Sequence, residues 1–220
     1  MIFHHFSLFQ LCSITFVALL LSCQRPSLPK ERELTDYFQL HQLPDTLLVE
    51  IAEETELPET GDPIPNSLFF STVPPTLLQE IEYLADSAEA VVLGHQHFPL
   101  GGESEAYWVE VRQFWFKHHS LLVYDKARKT FTDRITAAEW YGGDGGQVLI
   151  GSWIFDFDGD GQKDIVRRDI QHSMVPDGDT VLERTSESAT LLLWKKNQFL
   201  EMPLPDTAAT IRQYPIRTLW

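Results

Sequence analysis

The sequence predicts a mainly β protein: antiparallel blade-like hairpins, in the manner of a partial propeller, with one packed N-terminal helix. Three observations carry that expectation. From Ala90 onward, short runs rich in Val, Ile, Leu, Tyr, Phe and Trp alternate with runs of Gly, Asp, Asn and Lys. Branched and aromatic residues suit a half-buried pleated surface, and the intervening types turn the chain. Only Leu77, Leu78, Ile81, Leu84, Ala85 and Ala88 repeat apolar residues at 3- and 4-residue spacing, the period of one helix face. A faint repeat adds the third observation: residues 121–124, a charged turn and Phe131 echo residues 191–194, a charged turn and Phe199. Repeated hairpins of this kind build blades.

At the N-terminal end, residues 6–21 are mostly apolar, most strongly over 14–21. That stretch is shorter than the roughly 20 residues of a spanning helix and reads as a secretion signal. It ends in Leu20-Leu21-Ser22-Cys23. This run resembles the lipobox of bacterial lipoproteins, with an apolar residue at −3, a small one at −1, and cysteine next. The resemblance implies cleavage before Cys23, a diacylglyceryl thioether on its thiol and acylation of the freed amine. The departure is the missing positive n-region, since no Lys or Arg precedes Arg25. Cysteine arithmetic agrees with a lipobox. Cys12 lies in the removed segment, so Cys23 is the sole cysteine left, and acylation disposes of an exported free thiol. Gln24 after Cys23 resembles outer-membrane sorting. The expected location is therefore the cell envelope, lipid-anchored, at the outer membrane.

Residues 23–66 are expected to form an acidic, proline-rich tether, with a short helix near 45–55. Eight of the thirteen prolines lie between Pro26 and Pro75, and proline and like charge both extend a chain. The helix follows, started by Pro74-Pro75 with Thr76 as a cap and with Glu80, Glu82 and Asp86 on its outer face. Strands are then expected around Val91, Val92 and Phe98, over 106–118, and over 121–124 and 130–135 about a turn at 125–129. Residues 142–146 read as a flexible glycine loop and 172–188 as a polar stretch. Strands at 148–155 and 165–170 flank an acidic loop, and 189–194 and 198–202 flank a last turn. The domains are thus a signal peptide over 1–22, the tether over 23–66 and a calcium-binding β-rich domain over 67–220.

Charge bounds the partners. The net charge is −15, and between Glu33 and Val111 there are sixteen acidic residues and no Lys or Arg. Such a surface argues against nucleic-acid backbones, which require basic patches.

One run carries chemistry. In residues 156–164, Asp156, Asp158, Asp160 and Asp164 occupy positions 1, 3, 5 and 9, Gly161 sits at position 6, and Gln162 offers a backbone carbonyl at position 7. Calcium takes 6–8 oxygens, and a loop supplies them from alternate residues while a glycine makes the sharp turn. An EF-hand is excluded, because position 12 is Arg167 rather than Glu and the flanks read as strands. The run resembles the Asp-x-Asp-x-Asp-Gly-x-x-Asp loop of FG-GAP and VCBS repeats. That resemblance implies calcium as the cofactor and Asp156, Asp158, Asp160, Gln162 and Asp164 as its ligands. It departs in copy number, since the chain has one such loop.

His95, His97, His118, His119 and His172 could in principle assemble a zinc site, although no cysteine or spaced carboxylate partner stands beside them. No nucleophile turn, phosphate loop or dinucleotide fingerprint occurs. The expected role is a non-enzymatic protein-binding module with a partner in the cell envelope. Its combination of lipobox, blade-like fold and single loop is similar to that of periplasmic immunity lipoproteins that inhibit lysozyme-like enzymes. That similarity implies a protruding loop that plugs a cleft, with 140–146 or 172–188 as candidates. The alternative is an envelope hydrolase with acidic catalytic residues, which would need a carboxylate pair outside the calcium loop.

Overall fold

Strands that follow one another in the sequence also neighbour one another in space. The computed structural model describes residues 32–40, 44–51, 61–79, 81, 84, 87–143, 145–178 and 180–219. Its long strands are β4 (Val91–Gly101), β5 (Ser104–Gln113), β6 (Phe116–Asp125), β7 (Thr130–Gly143), β8 (Gly146–Phe155), β9 (Asp164–Asp177), β10 (Thr180–Lys195) and β11 (Gln198–Met202). They run as one antiparallel meander, β4 to β11 in order. Three short strands join it. β1 (Gln39–Leu40) pairs parallel and β3 (Asp62–Ile64) antiparallel with β4, and β2 (Thr46–Val49) pairs antiparallel with β8.

The mainly β class therefore holds. The hairpins continue edge to edge as one 11-stranded sheet rather than separate blades. The two echoing hairpins share a cross-strand aromatic pair, Tyr124 with Phe131 across β6–β7 and Trp194 with Phe199 across β10–β11, but differ in loop length. In the second, Lys196 and Asn197 both have positive φ, +54° and +62°, as a two-residue turn matched to strand twist requires.

Residues from β4 to β10 meet in one core. Phe98, Leu100, Leu121, Leu149, Ile154, Ile165 and Trp194 are buried there together with Val49 and Ile51. Strands so far apart along the sheet share a core only if the sheet curls. β2 enters where β7 leaves β8: β7 pairs with β8 only as far as Glu139↔Ile150, and Val49 then pairs with Ser152. The other face of β5, carrying Tyr107, Val109 and Val111, is covered by Leu34, Phe38, Ile64, Phe69 and Val73.

That cover corrects the tether. Over its described residues the stretch 33–66 belongs to the compact unit Glu33–Trp220. Leu34, Phe38, Val49, Ile51 and Ile64 are all buried. The apolar residues scattered among its prolines and carboxylates each find a place on the sheet, and strand pairing overrides the composition. The short helix expected near 45–55 is instead the strand β2 over its described residues. Among the described residues, a short helix, α1 (Asn66–Thr72), comes first, and the helix expected over 77–88 is confined to the short α2 (Pro75–Leu78). Pro74 is the N-cap of α2 and Pro75 its first residue, where a missing N–H costs nothing, so Thr76 is not the cap. Ile81 is buried and Leu84 packs on the second core, while Glu80, Glu82, Ala85 and Asp86 lie outside the described residues. Cys23 and the lipobox lie outside them too. No described helix is long and apolar enough to cross a membrane.

Two expected loops are strands. β7 and β8 run to Gly143 and from Gly146, which leaves only a tight tip. The polar stretch 172–188 is the outer part of the β9–β10 hairpin, paired from Thr180↔Asp177 inward. Beyond Ser173, β9 has passed the end of β8. β11 covers β10 only from Leu191. Among the described residues the tip beyond Ser173 and Arg184 is a ribbon without sheet neighbours, and over 184–188 β10 is an edge strand, so this stretch of β10 is exposed on both faces.

A third helix, α3 (Thr207–Gln213), closes the C-terminal end, with Asp206 capping it through Ala209 N–H. The buried Arg168 guanidinium donates to the carbonyls of Ile211 within the helix and Tyr214 just after it, and pairs with Glu187.

Candidate metal centre and buried histidine cluster

The acidic loop lies between β8 and β9, and the strands dictate its shape. Asp164 is the first residue of β9 and has no exposed surface. Its Oδ1 accepts the Trp194 N–H at 2.8 Å and its Oδ2 the Phe157 N–H at 3.0 Å. It therefore ties the loop to β10. Asp156 accepts Gly159 N–H at 2.7 Å and Gly161 N–H at 2.9 Å. Gly159 and Gly161 stand at φ +79° and +84°, conformations that β-carbon-bearing residues resist. Lys163 reaches across to the Asp45 carbonyl at 2.9 Å, so the loop is also clamped beside β2.

Asp156, Asp158 and Asp164 each bring one carboxylate oxygen within 4.8 Å of the others. Oxygens bound to one calcium at about 2.4 Å can be at most about 4.8 Å apart, so the three fit a single ion. Asp160 is turned elsewhere. Its carboxylate accepts Gln162 N–H at 2.9 Å and Gln162 Nε2 at 3.3 Å, and it pairs with Lys195. The Lys195 ammonium also lies 2.8 Å from Asp158. The Gln162 side chain packs beside Gly101, where an added Cβ would meet its Oε1 at 2.8 Å.

The electrostatics follow from these contacts. Burial pushes the Asp164 carboxyl up, the N–H groups of Trp194 and Phe157 oppose it, and Asp158 and Asp160 push it further up. Hydrogen bonds from Lys195 and Gln162 hold Asp160 down. Hydrogen bonds to Asp158 and Asp160 raise Lys195. Lys195 sits 31 residues beyond the motif's last aspartate, and no spacing rule could have found it. The basic turn it opens reads in the sequence only as a hairpin.

Among the described residues a second group is His95, Glu110 and His119, from β4, β5 and β6, with one atom of each within 4.8 Å of the others. His95 Nε2 is 2.9 Å from Glu110, and Arg112 pairs with the same carboxylate. The hydrogen bonds argue against a metal. Trp108 Nε1–H, which can only donate, bonds His119 Nδ1 at 2.9 Å. The ring proton of neutral His119 therefore sits on Nε2, facing Glu110 at 4.0 Å. A metal on Nε2 would move that proton to Nδ1, against the indole N–H, where metal-bound histidines need an acceptor. This cluster is a carboxylate hydrogen-bonded by His95 and Arg112, with His119 beside it. Burial alone would raise Glu110, but His95, His119 and Arg112 hold it down at about 2. Burial lowers His119 to about 3, against the opposing charge of Glu110.

The other histidines are dispersed. His97 stacks on Tyr107, His118 is buried with Ser120 and Arg134, and His172 lies beside Thr185 on the ribbon. No family model, curated protein or solved structure matches the chain.

Proposed function

We propose that the chain is a membrane-anchored, exported calcium-binding protein that acts as a protein-binding module, of the type that inhibits lysozyme-like enzymes in the cell envelope. The observation that carries the calcium reading is the convergence of Asp156, Asp158 and Asp164 around one point, with Asp164 buried and fixed to β10. Asp160 and the Gln162 carbonyl complete the set in this reading, once Lys195 gives way. An ion here would staple β8, β9 and β10. At about 1 mM calcium and a Kd of about 0.1 mM it contributes about 1.4 kcal/mol to folding, enough for a staple.

The binding reading is supported by the free ribbon. Its tip carries Met174, Val181 and Leu182, all exposed. A ribbon with apolar residues and no covering layer suits insertion into a partner's cleft. The N-terminal signal and Cys23 supply the envelope location.

Calorimetric titration of calcium into the protein, with thermal melts in calcium and in chelator, tests the staple. One ion per chain and a higher Tm in calcium are expected, and no heat with an unchanged melt rejects it. Inhibition of lysozyme-catalysed cell-wall lysis, compared between wild type and a Val181→Ser/Leu182→Ser variant, tests the ribbon. Equal inhibition by both proteins rejects its role, and no inhibition by wild type rejects the lysozyme class.

A further inference from the structure

The β5–β6 hairpin turns on Phe114 and Trp115. Phe114 is 81 % exposed and Trp115 55 %. Phe114 also stands at φ +55°, a region where Gly or Asn is cheaper and a bulky aromatic is an outlier. Neither turn geometry nor core packing calls for an aromatic residue here. One step behind the tip, Arg112, whose guanidinium also pairs with Glu110, and Lys117 face each other across the two strands. Val91, half exposed, pairs with Arg112 and extends the apolar surface at the same end. By strand direction this end lies opposite the acidic loop, because β5 runs away from the β4–β5 turn and β8 runs toward residues 156–163.

We propose that Phe114-Trp115 is a membrane-contact tip that seats in the interface of an anionic bilayer. The proposal rests on the reading that the chain is held at a membrane, and adds a second contact to the N-terminal anchor. Three features favour lipid over a protein pocket. The tip is convex and two residues wide, so it suits a deformable medium. Its composition is that of an interfacial anchor: Trp prefers the headgroup level and Phe the acyl boundary. The cations lie just behind the aromatics, at headgroup depth, where each contributes attraction to anionic lipid. Residues 33–111 hold sixteen acidic groups and no Lys or Arg, and Arg112 and Lys117 are the first cations to follow them, one step behind the tip.

The test uses the full chain bound to vesicles of phosphatidylethanolamine and phosphatidylglycerol whose acyl chains carry bromine close to the headgroup, a contact quencher of indole. Wild type should lose emission that the Trp115→Phe variant does not lose, and Phe114→Asn and Lys117→Glu should each weaken the quenching. Identical quenching of wild type and Trp115→Phe overturns the proposal. Equal quenching of Trp115 in phosphatidylcholine vesicles overturns the part given to Arg112 and Lys117. The mass of the N-terminal peptide reads the anchor separately. An acylated Cys23 with Trp115 unquenched defeats the tip alone, whereas a quenched Trp115 on an unacylated chain leaves the tip standing without the anchor.

Discussion

Asp164, Lys195 and Phe114 each hold an unequal balance that one substitution exposes. Asp164→Asn puts an amide where both carboxylate oxygens accept backbone N–H groups, so one donor meets another in a site with no exposed surface. We expect a loss of about 2–3 kcal/mol in chelator, read by urea unfolding, together with loss of any calcium-dependent rise in Tm. Lys195→Met removes the ammonium beside Asp158 and Asp160. If calcium must displace that charge, the variant binds calcium on the order of tenfold more tightly in a calorimetric titration. An unchanged affinity would mean that the lysine never competes. Phe114→Gly relieves the positive φ, and a stability gain of about 0.5–1 kcal/mol is expected in a chemical melt. Of these three residues, only Asp164 could be assigned a role from the sequence. The motif's spacing fixes its place, but that its oxygens serve Trp194 and Phe157 follows from β10 lying alongside.

At the scale of elements, the ribbon and the N-terminal cover behave oppositely. Val181→Ser with Leu182→Ser touches side chains that are already exposed, so the melting midpoint should move by less than about 0.5 kcal/mol equivalent. Phe69, fully buried on the second core, should cost about 3–5 kcal/mol when cut to alanine. Comparing the two variants by thermal melt separates a surface for partners from a structural lid. The strand β8 was legible because β-branched and aromatic residues are dense there, but the same density over 106–118 hid a turn: the one strand expected there is the end of β5 and the start of β6, divided at Phe114-Trp115. Strands were not legible in residues 172–188, where a ribbon solvated on both faces shows no apolar alternation. Nor were they legible in 33–66, where Leu47-Leu48-Val49 takes its conformation from β8 rather than from its neighbours.

For the molecule as a whole, pH acts through the buried histidine cluster. Both relevant groups are depressed in the fold, His119 to about 3 and Glu110 to about 2. The unfolded chain therefore takes up a proton first in each case. The contribution of these two groups is full above pH 6.5. It falls as the unfolded histidine charges between 6.5 and 3, and falls further below 4.5 as the unfolded glutamate protonates. Several kcal/mol should be lost between pH 7 and pH 3, measured as the urea midpoint against pH. A flat profile over that range would mean that the cluster opens without unfolding.

The sequence by itself determined the class of fold, the turns at 125–129 and 195–197 and the calcium-type spacing of residues 156–164, because each depends on neighbours within a dozen residues. Tertiary structure alone decided how the hairpins join into one curled sheet and which segment wedges into its core. It also placed Lys195 against the acidic loop and set one carboxylate between His95, His119 and Arg112. These depend on contacts between residues distant in the chain, whose partners are chosen by strand register and sheet curvature. No local pattern records either.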